Sequence, residues 1–354
     1  MLLNFVQSAE FKKIRIIGAS KKTAILLAYM LRKTIVLAVV LSTICCFSFV
    51  QEGSAQDPSF TQYYANPLYL NPALAGTNKC PRVVLNYRNQ WPALSGNFVT
   101  TSASYDQYVD AINGGLGFYV MNDNAGRGTL NSFNINGIYS YQLTLSKKVS
   151  MVVGFQGTYF QRSLDWSKLT FGDQIDPRRG FIYETQDTPR GGTVDNVDFS
   201  SGAVVFSENF FVGVAVHHLF EPNESLIVAE SPLERKYTFH AGATIPVNKD
   251  VRGESETTIS PNFLYQNQFG ENMYNLGVYV KRGPLIGGVW YRFEDSFIAL
   301  MGVETERFKV GYSYDLTTSK LTTKTAGSHE ISFAFNFNCR PQKKKFRAIN
   351  CPQF

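Results

Sequence analysis

The stretch from His329 to Asn338 constrains the fold of this chain more than any other stretch. Its residues alternate with a period of two between an apolar set and a small or polar set: Ile331, Phe333, Phe335 and Phe337 against Ser332, Ala334, Asn336 and Asn338. This period predicts a β-strand with one Phe-rich face and one polar face. Neither flank carries an amphipathic helix pattern that could cover the apolar face. A closed barrel in a bilayer resolves this, because lipid covers the apolar face and closure removes the sheet edges.

The rest of the chain supplies further segments of this kind, separated by turn residues. Fourteen strands are predicted: 82–91, 97–108, 114–122, 130–142, 149–163, 197–207, 210–220, 235–246, 256–267, 272–282, 285–293, 296–305, 307–315 and 328–338. The aromatic content of 14% with only 18% charged residues is typical of a membrane barrel. We therefore predict an all-β protein, with a transmembrane antiparallel up-and-down β-barrel of about 14 strands over residues 82–338.

The predicted connections alternate between short and long. An even strand number places both ends of the barrel on one side of the membrane. The connections 207–209, 282–284 and 304–306 on that side are short, whereas 164–196, 221–234 and 316–327 on the other side are long. Outer-membrane barrels have short periplasmic turns and long outer loops, so we expect the cell outer membrane as the location.

A leader is predicted ahead of the barrel. The apolar run 35–50 follows Arg32 and Lys33 and precedes small residues, which is the pattern of a signal peptide over residues 30–55 with cleavage after Ala55. Residues 1–29 are interpreted as a mis-annotated or non-functional extension. Residues 1–55 hold seven of the 34 basic and two of the 28 acidic residues, so the remaining chain has a net charge of +1. No nucleic-acid partner is therefore predicted.

Residues 56–81 form an aromatic and Pro-rich segment before the first strand. The part from Gln56 to Asn78 contains three prolines, two of them in Asn-Pro pairs, and it is too aromatic for a typical flexible tail. We predict an ordered segment. Because fourteen strands fall below the 16–18 of open porins, the lumen is expected to be narrow or partly filled, and this segment is a candidate to fill it.

Residues 339–354 form a basic tail that is too charged for the bilayer, so we predict that it lies in the periplasm. Its charge of +5 comes from Arg340, Lys343, Lys344, Lys345 and Arg347. Apolar Phe346 follows the lysine run. This mixture favours a partner-docking role for Lys343–Arg347, while a solvated charge patch or attraction to anionic lipid remains the alternative.

Three cysteines follow the predicted cleavage site: Cys80, Cys339 and Cys351. Cys80 precedes the first predicted strand and Cys339 follows the last one. Closure of an up-and-down barrel makes these strands neighbours, so we predict a disulfide from Cys80 across the seam to Cys339 in the oxidising periplasm. Cys351 is the alternative partner of Cys80, and a local Cys339–Cys351 bond is a further alternative.

Candidate chemistry elsewhere is weak. His217 and His240 fall on adjacent predicted strands in the polar register, but no nucleophile motif such as G-x-S-x-G accompanies them. Acidic residues in the predicted outer loops show no calcium-loop spacing. We predict no catalytic residue, no metal site and no cofactor, and therefore no enzyme.

Several separated motifs carry a family resemblance. The motifs are residues 56–63 (QDPSFTQY), 71–76 (NPALAG), 86–92 (NYRNQWP), 104–106 (SYD), 114–117 (GGLG) and 344–352 (KKFRAINCP). Together they resemble the PorP/SprF proteins, outer-membrane components associated with type IX secretion and gliding in the Bacteroidota. The resemblance covers essentially all of residues 56–354. It implies partners in that machinery, including a periplasmic peptidoglycan-associated protein and surface adhesins with a C-terminal sorting domain.

Two functions from different classes follow. The first is an accessory or docking barrel of the secretion and gliding apparatus, which acts in secretion or surface attachment of adhesin-type cargo. The second is a passive porin for small solutes. Conductance in planar bilayers separates them, because steady pores support the second function and their absence supports the first.

Overall fold

The computed structural model describes residues 57–78, 80–186, 192–226, 231–249, 255–318 and 325–338. Fourteen strands form the wall of a barrel: β1 Arg82–Gln90, β2 Phe98–Val109, β3 Gly114–Ala125, β4 Leu130–Thr144, β5 Ser150–Leu164, β6 Thr193–Phe206, β7 Phe210–His217, β8 in two parts (Lys236–Ala243 and Ile245–Lys249), β9 Ser255–Gln268, β10 Glu271–Arg282, β11 Leu285–Arg292, β12 Ser296–Glu304, β13 Phe308–Thr317 and β14 Ser328–Asn336. All fourteen predicted strands are found, which confirms the predicted fold class.

The sheet closes on itself. Each strand pairs antiparallel with the next along the chain, and β8 pairs with β9 through both of its parts. The last strand pairs with the first, from Arg82 opposite Asn336 to Gln90 opposite Ser328. Closure satisfies the backbone hydrogen bonds that lipid could not satisfy.

The two faces of the wall differ in polarity, as the alternation predicts. On β14, Ile331 and Phe333 point outward and are exposed, whereas Glu330 and Ser332 point into the lumen and are buried. The same outward set recurs on β10, where Leu276 and Val278 are exposed. This apolar belt faces the lipid of the outer membrane. No helix in the described part of the chain has the length and hydropathy needed to cross a membrane.

The two ends of the barrel have different connections. We call the end where β1 begins and β14 ends the terminal rim, and the opposite end the far rim. The terminal rim carries short turns such as 207–209, 283–284 and 305–307, while the far rim carries the long connections 165–192, 218–235 and 318–327. This asymmetry matches the prediction and makes the terminal rim the periplasmic one.

The predicted leader, the extension 1–29 and the basic tail lie outside the described residues. The interpretation of residues 1–55 as an extension and a signal peptide therefore stays a prediction. The same holds for the predicted docking residues Lys343, Lys344, Lys345, Phe346 and Arg347.

The seam between β1 and β14 continues to the terminal rim. The backbone N–H of Phe337 donates to the carbonyl oxygen of Pro81 at 2.9 Å, so the pairing runs to within one residue of Cys80. Cys80 takes part in a disulfide bond. Its predicted partners, Cys339 and Cys351, lie outside the described residues, so the identity of the partner stays a prediction.

Non-reducing peptide mapping tests this seam disulfide. We expect a Cys80–Cys339 cross-linked peptide, because the seam pairs Phe337 with Pro81, next to Cys80, and Cys339 follows Phe337 by two residues in the sequence. Such a bond stabilises a barrel by about 2–4 kcal/mol, chiefly by restricting the unfolded chain. Mapping of the Cys339→Ser variant is the control. A Cys80–Cys351 peptide in the unmodified protein would show that the tail, instead of the strand end, supplies the partner.

Candidate functional site

The lumen of the barrel is occupied by residues 57–78, which we call the plug segment. It folds into three short helical turns: a 3-10 turn at Tyr63–Ala65, an α-helical turn at Pro67–Leu70 and a 3-10 turn at Pro72–Leu74. Each of the last two turns begins with a proline, whose fixed φ favours a first helical position. The side chain of Asn71 caps the third turn by accepting a hydrogen bond from the Ala73 N–H at 2.9 Å. The Asn-Pro pairs therefore shape a compact segment.

The plug segment runs through the barrel from one rim to the other. At the far rim, the Asp57 N–H donates to Oε1 of Gln268, the last residue of β9, at 3.1 Å. At the terminal rim, Asn78 donates to the side chain of Asn336, the last residue of β14, at 2.9 Å. Leu68 and Ala73 between them are fully buried. The segment thus fills the lumen along its length.

Hydrogen bonds tie the plug segment to strands from β2 to β14. The wall partners are Ser102 for Asn66, Ser140 for Ala75, Val214 and His240 for Asn71, Asn275 for Tyr63, Ser313 for Thr61, and Ser332 for Gln62. Aromatic packing adds to these contacts, since the ring of Tyr63 lies edge-on to Trp290 with centroids 5.0 Å apart. The segment is therefore bound on all sides.

Glycines on the lumen side of the wall allow the backbone of the plug segment to come close. A Cβ atom on Gly154 of β5 would lie 2.3 Å from the Ala73 nitrogen, and one on Gly115 of β3 would lie 2.2 Å from the Ala75 oxygen. Neither distance is possible for a real side chain. The NPALAG stretch of residues 71–76 thus seats against GGLG at 114–117, two motifs far apart in the sequence.

A buried ion pair anchors the segment near the terminal rim. Arg82 binds Asp106 through two hydrogen bonds, from Nε at 2.9 Å and from Nη2 at 3.1 Å. The N–H of Gly76, which has a φ of +68°, donates to Asp106 Oδ2 at 2.9 Å. The carboxylate of the SYD motif therefore joins β1, β2 and the plug segment.

A second buried carboxylate holds the middle of the segment. Glu330 accepts hydrogen bonds from the Thr61 N–H at 2.6 Å, the Thr61 hydroxyl at 2.8 Å and the Gln62 N–H at 3.2 Å. Arg88 lies 3.6 Å from the same carboxylate and neutralises it. Beside it, Arg292 pairs with Asp315 at 3.2 Å. The charges of this cluster are paired, while Arg88 Nε and Nη1 and Asp315 Oδ1 have no hydrogen-bond partner among the described residues.

A third charged cluster lies near the far rim. The carboxylate of Asp57 in the segment lies 2.8 Å from His218 Nε2 and 3.3 Å from Lys236 Nζ. The other ring nitrogen of His218 lies 2.7 Å from Asp198 on β6. Burial alone would lower the pKa of His218, but the two carboxylates outweigh it and raise the pKa to about 9. The plug segment is thus held by an ionic contact at each rim and by Glu330 between them.

The space left in the lumen is small. One cavity of about 20 Å³ lies between the segment and β1, β13 and β14, and another of about 30 Å³ lies beside Asp57 and His217. Each has room for one or two waters, far less than the aqueous channel of a wide porin. Buried atoms such as His217 Nε2 and Gln156 Oε1 have no protein partner and line the second cavity, which suits ordered water.

The structure places the sequence candidates as follows. His217 and His240 face the lumen, as their register predicts, and His240 contacts Asn71 of the plug segment. In the described residues, no three His, Cys, Asp or Glu side chains are placed to hold one metal ion. Sequence reasoning missed the binding roles of Asp57, Asp106 and Glu330. For Asp106 and Glu330, the available signal was their position on the inward-facing side of a strand, which Glu330 shares with Ser332.

Comparison with known proteins gives one family and several barrels. The model of a family described as type IX secretion system membrane protein PorP/SprF matches residues 52–335, which include the plug segment and almost the whole barrel. No curated protein matches. Among solved structures, the Ralstonia pickettii toluene transporter TbuX is similar at 10% identity, over 81% of this chain and 96% of that chain, with a TM-score of 0.45. The Acinetobacter baumannii outer membrane protein Omp33 is similar at 12% identity, over 74% and 100%, with a TM-score of 0.40.

Substitution of one lumen glycine tests whether the plug segment needs the glycine cradle. Gly154→Ala should unseat residues 72–75, because its new Cβ meets the backbone of Pro72 and Ala73, and we expect a loss of about 1–3 kcal/mol in unfolding free energy. Gly157→Ala on the outer side of the same strand is the matched control, since its nearest atom lies 3.8 Å away. Equal stability of the two variants in urea unfolding would contradict the cradle.

Proposed function

This chain belongs to the family of type IX secretion system membrane proteins PorP/SprF, and on that premise we propose that it is a closed docking barrel, which attaches adhesin-type cargo to the secretion machinery at the outer membrane. The family and the fold indicate an outer-membrane barrel component of type IX secretion. Family and fold indicate a secretion or transport membrane protein, not an enzyme. The docking role and its partners are the proposal.

The filled lumen is the observation that carries this proposal. A conduit for a folded or unfolded protein needs a continuous opening, whereas residues 57–78 occupy this barrel and hydrogen-bond to strands around it. A barrel that does not conduct can still act by its rims. The long far-rim connections 165–192 and 218–235 present the larger surface outside the cell, where an attached adhesin would contact it.

The terminal rim is the place for partners inside the envelope. We assign docking of a periplasmic peptidoglycan-associated component to this rim, together with the basic tail that follows β14. The tail has a charge of +5 and aromatic residues, which fit an acidic surface with apolar pockets. Gliding motility is the process in which an attached adhesin of this kind would serve.

Conductance in planar bilayers separates the docking barrel from the passive porin. We expect the purified protein to give no steady conductance at neutral pH, because the plug segment occupies the lumen and hydrogen-bonds to strands around it. A variant that lacks residues 57–78 and assembles into the membrane is the positive control and should conduct. Steady pores from the unmodified protein would favour the porin and contradict the docking barrel.

Charge reversal in the tail tests partner docking. The variant with Lys343→Glu, Lys344→Glu and Lys345→Glu should lose co-purified periplasmic partners in a mild-detergent pull-down read by mass spectrometry, because like charges would face the acidic partner surface. The matched control reverses Arg178 and Arg179, an exposed pair in the far-rim connection 165–192, away from the rim assigned to the periplasmic partner. Unchanged partners in the tail variant would exclude the tail as the docking element.

A further inference from the structure

The plug segment is held differently at its two ends. At the terminal rim it is fixed by the Arg82–Asp106–Gly76 contacts, by close packing on glycines and by continuity with the disulfide-bonded Cys80. At the far rim, residues 57–60 depend on the Asp57 carboxylate, the Asp57 N–H and the packing of Phe60 on Tyr69 and in an apolar cluster with Tyr119 and Met121 of β3. The far-rim attachment contains a single carboxylate, that of Asp57, which His218 and Lys236 both contact.

His218 is built into the wall as the receiving half of this attachment. Its Nδ1 lies 2.7 Å from Asp198, and Asp198 is itself fixed by the N–H groups of Phe199 at 2.7 Å and Phe220 at 3.3 Å. The φ of His218 is +59°, in the left-handed region that costs free energy for a residue other than glycine. The wall therefore holds the imidazole in place before Asp57 contributes.

The geometry requires a charged imidazole. Both ring nitrogens of His218 lie within hydrogen-bond distance of carboxylate oxygens that only accept, so both must carry a proton. Lys236 adds a second cation 3.3 Å from Asp57, and its Nζ also lies 3.2 Å from the Tyr69 hydroxyl. The hydroxyl of Tyr69 donates to the carbonyl oxygen of Pro58, so Lys236 also contacts a residue that binds the end of the segment.

We propose that Asp57, His218 and Lys236 form an ionic latch that closes the far-rim half of the lumen, and that its release frees residues 57–60 while residues 61–78 stay bound. Glu330 sets the limit of the movement, because it holds Thr61 and Gln62 by three hydrogen bonds independent of the latch. This inference concerns the barrel itself and does not rest on a role in secretion.

The latch is closed at physiological pH. Burial alone would raise the pKa of Asp57, but His218 and Lys236 hold that pKa below its ordinary value, so Asp57 is ionised. His218 has a pKa of about 9, above the ordinary value near 6.5. Its contribution to stability is therefore complete below about pH 6.5 and is lost as the pH rises through about 9. The other charged or titratable groups nearby are Asp198, Lys236, His217, Tyr69, Asp123 and the Arg162–Glu224 pair.

Hydrogen–deuterium exchange of the full-length protein in detergent micelles, read by mass spectrometry, tests the latch. Phe60 is buried and the Asp57 N–H is hydrogen-bonded, so the amides of residues 57–60 should be protected in the unmodified protein at pH 7. Asp57→Asn and His218→Gln remove the charge while keeping similar size, and we expect each to lower the protection factors of residues 57–60 at least about tenfold, because exchange tracks the population of the open form. Protection of residues 61–64 should stay unchanged. His329→Gln is the matched control, since this histidine contacts Tyr312 and Tyr314 on the outer face.

Two results would overturn the latch. One is unchanged protection of residues 57–60 against exchange in the folded Asp57→Asn and His218→Gln variants. The other is an equal loss of protection in residues 57–60 and 61–64, which would mean that the segment leaves as a whole. If a variant does not fold, the unmodified protein decides. Its urea midpoint should fall between pH 7 and pH 10, because His218 loses its proton in this range. A midpoint that does not change with pH would exclude a contribution of charged His218.

Discussion

The pairing of buried charges between the wall and the plug segment is the interaction on which the rest of this structure depends. Asp106 and Glu330 each have one arginine on the wall, and each completes its hydrogen bonding with backbone N–H groups of the segment. A buried carboxylate that loses a partner typically costs about 3–5 kcal/mol. Wall and segment therefore stabilise each other, because each supplies hydrogen-bond partners to polar groups that the other buries.

This interdependence also explains where small residues occur. A closed sheet of fourteen strands encloses more space than inward side chains such as Ser, Thr and Asn can fill. The plug segment fills that space with its own backbone and aromatic rings, and it can come close only where the wall lacks Cβ atoms, as at Gly115 and Gly154. Two of the motifs, 71–76 and 114–117, thus form the two sides of one contact.

The proposed docking role relies on the surfaces of this filled barrel. The outer belt is matched to lipid, the lumen is committed to the plug segment, and the remaining surfaces are the rims. The two rims differ, since long connections crowd one and short turns with the β1–β14 seam form the other. The proposed docking of a surface adhesin at one rim and of a periplasmic component at the other would use this difference between the rims.

The sequence by itself determined the strands, the lipid-facing belt, the closure and the asymmetry of the rims. These features are local, because a period of two and a turn signal are read within about ten residues. The seam at Cys80 followed from closure alone. The sequence also marked residues 56–78 as ordered, through their prolines and tyrosines. Only the tertiary structure decided what that segment binds. Asp57 meets His218 across 161 positions, and Thr61 meets Glu330 across 269. No local pattern encodes such distances, since many inward-facing polar residues share one register and only three-dimensional closure selects the pairs.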